Sequence, residues 1–107
     1  MRMWMIDPKK MCRQHLLGEH VECHMFAGAL RLGISLQGYF DHNCFEPKSL
    51  FTRHETLAEE MKKRGFRHAS PLEVPEQSDP RLINRELAYK MLYDRCEKCR
   101  CLMEAAS

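Results

Sequence analysis

The sequence has no apolar run near the roughly 18 residues that a membrane-spanning helix needs, so no such span is expected. Its opening residues, Met1 to Pro8, hold too short an apolar stretch for a secretory signal, which predicts a cytoplasmic protein. It has almost no net charge: 17 Lys and Arg against 15 Asp and Glu leave +2. Contact with a polyanion therefore depends on cations gathered on one face, not on overall basicity. It has no internal repeat and no low-complexity segment. What is present fits one small domain. A chain of 107 residues has a thin core, and 44% hydrophobic residues favour a globular fold over disorder. Six cysteines are many for this length. Without a secretory signal they read as reduced thiols or metal ligands before they read as disulfides.

The hydrophobic pattern predicts an all-α fold of three main helices. Asp7-Pro8 and Asp79-Pro80 both look like helix starts, because Asp caps free N–H groups and Pro suits the first helical position. The first helix is expected over about 8–32 and the second over about 48–64, with Gly33 and Gly65 as stop signals. Leu50, Phe51, His54, Leu57, Ala58 and Met61 form the second helix's expected buried stripe. The third is expected over about 80–98, with Leu82, Ile83, Leu87, Met91 and Leu92 at helical spacing. Residues 34–47 and 67–78 read as loops. Alternation through Arg2, Met3, Trp4 and Met5 suits an extended strip lying on the helices. A chain start held in the core is unusual, since termini normally fray, and this first suggests that the N-terminus has a task.

At about 100° per residue, His15, Glu19, Glu22 and Phe26 share one narrow sector of the first helix. A carboxylate on a partly buried face costs several kcal/mol unless it is paired or protonated. Helix-face glutamates are usually solvated or paired, and a helix-face His is more often structural than catalytic. Even so, two carboxylates and a His interrupting one apolar stripe are candidates for a functional site.

Several of these residues recur in order in a known family. Arg2, then Gln14-His15-Leu16, Glu19, Glu22 and Gly28-Ala29 form one ungapped block. Glu59-Glu60-Met61-Lys62-Lys63-Arg64-Gly65-Phe66 and His68-Ala69-Ser70-Pro71-Leu72 follow. The chain resembles the pyrimidine-dimer DNA glycosylases, a family typified by a phage endonuclease. The resemblance implies a compact three-helix bundle with the N-terminal segment threaded between the helices, and a single glycosylase/lyase domain over 1–107. It implies DNA repair in a bacterial or phage-infected cell. The free α-amine would attack C1′ of the damaged nucleotide, form a Schiff base and cut the strand by β-elimination. The substrate would be double-stranded DNA carrying a pyrimidine dimer, a related lesion or an abasic site. The protein would act as a monomer, without a cofactor and without a membrane.

The chemistry suits the residues. A free α-amine has a reference pKa near 8, against about 10.4 for lysine, so a useful fraction is neutral and nucleophilic at neutral pH. Aminopeptidases that remove an initiator Met prefer a small second residue. Arg2 is large, so Met1 is expected to remain and to supply the amine. The resemblance gives Glu22 the role of stabilising charge on the sugar and moving protons. Glu19, Gln14 and His15 become candidates for contact near the site. Arg2, Lys62, Lys63, Arg64 and Arg67 become candidates for gripping phosphate. Cations at residues 62–64 would equally suit a solvated helix C-terminus.

The chain also departs from its phage relative. Val21 and Met25 stand beside Glu22 where that enzyme has basic residues, and its aromatic C-terminal tail is absent. Cys96-Glu97-Lys98-Cys99 is one C-x-x-C pair, whereas structural zinc normally takes four ligands. Cys12, Cys23, Cys44 or a histidine could complete it, but the sequence does not say which, and no metal ligand is assigned. His20 and His24 have the spacing of a zinc-protease helix, but Glu22 sits one place away from where that motif puts its base. The alternative function is a non-catalytic DNA-binding or zinc-stabilised interaction module.

Overall fold

A computed structural model describes residues 1–68 and 70–105. Ala69 of the His-x-Ser-Pro-Leu segment lies outside the described residues. The described chain is helical, without strands: α1 Arg13–Leu32, α2 Gln37–Asp41, α3 Leu50–Lys63, α4 Arg85–Arg95 and α5 Glu97–Ala105. Short 3-10 turns precede α1 at Pro8–Lys10 and α3 at Pro47–Ser49. None of these helices is long and apolar enough to cross a membrane.

Both glycine stop signals act as read. Gly33 and Gly65 adopt φ of 68° and 83°, which glycine takes without a Cβ penalty. Gly33 N–H reaches Leu30 O while Ile34 N–H reaches Ala29 O. Gly65 N–H reaches Lys62 O while Phe66 N–H reaches Met61 O. Each pair satisfies carbonyls that the helix end leaves open.

Two helix starts differ from expectation. Asp7 caps only the 3-10 turn, accepting from Lys9 N–H. Met11 and Cys12 are extended, and α1 begins at Arg13. Arg64 explains the break: its guanidinium donates to Pro8 O at 2.9 Å and Met11 O at 2.8 Å, carbonyls that a continuous helix would have used itself. In the C-terminal half, Asp79 folds back onto Arg81 and does not start a helix. The chain stays irregular until Asn84, whose side chain accepts from Leu87 N–H and starts α4. Leu82 and Leu87 are therefore exposed, while Ile83 anchors the loop in the core. The expected third helix is two, bent at Cys96, which is extended.

α1 and α3 pack together over Leu16, Cys23, Phe26, Leu50, Leu57 and Met61. On α3 the stripe is shifted by one side: Phe51 is half exposed and Arg53 is buried in its place. The N-terminal strip is embedded as expected. Met3, Trp4 and Ile6 are buried, and Met3 N–H donates to Cys44 O at 2.7 Å. Met5 takes φ 58°, a left-handed conformation that costs an L-residue roughly 1–2 kcal/mol. Burial of its neighbours on both sides holds it there. Glu46 ties the other half down: its carboxylate accepts from Ser49 Oγ, Ile83 N–H and Arg85. These hydrogen bonds hold it below its ordinary value despite burial.

Candidate active site

The embedded strip brings the chain start to the middle of α1. The Met1 α-amine lies 3.8 Å from Glu22 Oε1, and both are partly buried. They meet in an open cleft of about 600 Å³, which Gln14, His15 and Glu19 also line. The sector of α1 selected by helical spacing is thus one wall, and Arg2 and Trp4 continue it.

Burial raises the Glu22 carboxyl, and the nearby Glu19 adds to this. The Met1 amine, the Arg2 backbone N–H and the Arg2 guanidinium oppose it. Burial outweighs these neighbours, so the Glu22 carboxyl stands above its ordinary value beside the chain start.

The Arg2 guanidinium carbon lies over Trp4, 3.7 Å from the ring centroid, and Arg2 Nη2 donates to Asn43 O at 3.4 Å. It is buried, and its Nε finds no acceptor among the described residues. Its donors thus lie in the cleft wall and not on an outer surface.

Glu19 lines the cleft, but its carboxylate is committed. Arg53 Nε and Nη2 donate to its two oxygens at 2.6 and 2.9 Å, both residues being buried. This two-point ion pair between α1 and α3 sits directly beneath the site. Arg64 is likewise committed, to Glu60 at 2.8 Å and to the two carbonyls before α1. It ties the end of α3 to the residues before α1. Lys62, Lys63 and Arg67 are exposed and lie outside the cleft lining. Gln14 is exposed at the rim.

Sequence reasoning missed Arg53, Met91 and Arg95. Arg53 is three residues after Leu50 and four before Leu57, so its place on the apolar stripe was visible as a signal. Met91 and Arg95, four apart on α4, form the far wall of the cleft. Arg95 stands 5.6 Å from the Trp4 ring, on which Arg2 also stacks.

Two clusters lie near this site. His20, His54 and His68 bring ring nitrogens within 4.8 Å of one another, and His24 Nε2 is 3.1 Å from His54 Nε2. Burial and mutual repulsion push His20 down to about 4. Its Nε2 is buried without a partner among the described residues. The second cluster gathers Cys12, His15, Cys96 and Cys99. His15 belongs to both this cluster and the cleft. Each set has donor atoms able to hold a metal ion.

The structure is thus a small helical domain in which the chain start meets a helix glutamate in a cleft. The family model described as pyrimidine dimer DNA glycosylase matches residues 1–74. The chain belongs to that family, and DNA-repair glycosylase chemistry is its general activity. The match spans the N-terminal strip, α1, α2 and α3, and stops before α4 and α5. No curated protein and no solved structure matches the chain.

Proposed function

We propose that this glycosylase also cuts DNA at the resulting abasic site, using the Met1 amine as nucleophile and Glu22 as the proton-transfer group. The observation that carries this reading is the 3.8 Å approach of amine and carboxylate within the cleft. The neutral amine attacks C1′ of the lesion nucleotide, and the C1′–N bond breaks with its electron pair leaving on the base. Loss of the amine proton and opening of the sugar ring give a protonated Schiff base. Glu22 takes a C2′ proton, the C3′–O bond breaks, and the 3′ phosphate leaves. Water then hydrolyses the Schiff base and regenerates the amine. The iminium is an electron sink for the elimination, and a fixed carboxylate stabilises its charge.

The cleft must receive the sugar of the lesion nucleotide, so a flipped nucleotide or a strong kink in the duplex accompanies binding. Arg2 and Arg95 flank the Trp4 ring and supply positive charge for the flanking phosphates. Gln14 and His15 line the same cleft and offer polar contacts to the sugar. Val21 and Met25 are both more than half exposed on α1 beside Glu22. The substrate in this reading is DNA carrying UV pyrimidine dimers or a related lesion.

Chemical acetylation of the N-terminus tests the reading. Protein acetylated at the Met1 amine alone, its lysines left free, should still bind abasic duplex and leave it uncut. Normal cutting after complete acetylation would exclude the amine.

A further inference from the structure

We infer that Cys12, His15, Cys96 and Cys99 form a structural zinc site that clasps α4 and α5 to the start of α1. The four donor atoms all lie within 4.8 Å of one another. His15 Nδ1 is 3.3 Å from Cys12 Sγ and 3.6 Å from Cys99 Sγ, and Cys12 Sγ is 3.9 Å from Cys96 Sγ. A tetrahedral zinc with bonds of about 2.3 Å to sulfur and about 2.0–2.1 Å to nitrogen has S···S edges of about 3.8 Å and S···N edges of about 3.5 Å. These three separations of 3.3, 3.6 and 3.9 Å lie close to those edges.

The sequence pattern agrees. Cys12-x-x-His15 and Cys96-x-x-Cys99 are two short chelating pairs, and three sulfurs with one imidazole form a donor set typical of structural zinc. Each pair stands at the start of a helix, with Cys12 capping α1 and Cys96 directly before α5. Backbone N–H groups there point at sulfur: Cys12 N–H donates to Cys99 Sγ at 3.2 Å, and Cys99 N–H to Cys96 Sγ at 3.4 Å. Such donors stabilise thiolates and orient them toward a metal. All three thiols are free, with Cys12 and Cys99 buried, and four protein donors would fill a tetrahedral zinc's coordination.

Binding joins one Zn²⁺ to three thiols and a neutral imidazole and releases three protons. It supplies what a short chain with a thin core and no disulfide otherwise lacks. Cys96 and Cys99 lie beyond the family-matched residues 1–74, so the clasp ties α4 and α5 to the matched part of the chain. It also bears on the cleft. Coordination through His15 Nδ1 fixes the proton on Nε2 as a donor, and α4 carries the far wall.

The test uses the full-length protein, purified without added metal. Elemental analysis should find one zinc per chain. Replacement by Co²⁺ should give both d–d absorption and a thiolate-to-cobalt charge-transfer band. Cys99→Ser and Cys96→Ser should weaken zinc binding by roughly a hundredfold or more, while Cys101→Ser, at an exposed neighbouring thiol, should not. If the ligand variants fail to fold, the wild-type cobalt spectrum still decides. Protein that binds no zinc, carries a Cys96–Cys99 disulfide by mass, or binds cobalt without a thiolate band overturns the inference. The last result would place the metal on His20, His54 and His68.

Discussion

Arg53 of α3 holds both carboxylate oxygens of Glu19 of α1, at 2.6 and 2.9 Å, beneath the cleft that contains Glu22. Both partners are almost wholly buried. Breaking a buried pair strands one charge and costs about 3–5 kcal/mol, whereas removing both charges can be nearly neutral. Arg53→Met should therefore lower unfolding free energy by about that amount. Arg53→Met combined with Glu19→Leu should recover most of it. Urea unfolding of the two variants checks this, and equal losses would show that the pair does not act as a unit.

Glu22→Gln keeps size and polarity but removes the proton acceptor. It should bind abasic duplex like the parent and lose about 10²–10⁴-fold in single-turnover cutting. Burial raises the Glu22 carboxyl, and only its ionised form accepts a proton. Cutting by the parent should therefore fall as pH drops through a value above the ordinary glutamate range. A single-turnover pH profile with no acid limb, or one unchanged by Glu22→Gln, would remove Glu22 from this role.

The imidazole cluster makes stability depend on pH. His20 is held down to about 4, against 6.5 normally. Above about pH 6.5 it is neutral both folded and unfolded and favours neither state. Below that, the unfolded chain takes up a proton that the folded chain refuses until about pH 4. Stability should thus fall between pH 6.5 and 4, by up to about 3 kcal/mol from this residue. His24 and His68 are lowered too and act in the same direction. Urea midpoints across this range should slope less steeply for His20→Gln, and an unchanged slope would contradict the assignment.

Lys62, Lys63 and Arg64 adjoin in sequence but have different surroundings. Lys62 and Lys63 are exposed, and Arg64 is bonded to Glu60, Pro8 and Met11. If Lys62 meets a phosphate, Lys62→Ala should reduce the slope of log affinity against log salt by about 0.9 with no loss of stability. Arg64→Ala should leave that slope alone and destabilise the fold by about 1–3 kcal/mol through its unpaired partners. The reverse pattern would return the phosphate contact to Arg64.

Much of this was legible where the cause is local. Gly33 and Gly65 end their helices because a left-handed residue is needed there, and the 3.6-residue period placed His15, Glu19 and Glu22 on one face. The break at Met11–Cys12 was not legible, because it depends on a guanidinium contributed from residue 64. The Cys/His cluster was hidden for the same reason: Cys12 and Cys96 are 84 residues apart in sequence, and one C-x-x-C does not name its partners. Asp79-Pro80 misled because its carboxylate accepts from Arg81 N–H, the contact a helix start would show, yet no helical turn follows it.

The most direct measurement is borohydride reduction during reaction with abasic-site duplex, followed by peptide mapping of the covalent product. The account predicts one adduct per chain, attached through the Met1 α-nitrogen, formed faster by the parent than by Glu22→Gln. An adduct on a lysine side chain, or no adduct from a chain with a free N-terminus, would contradict it.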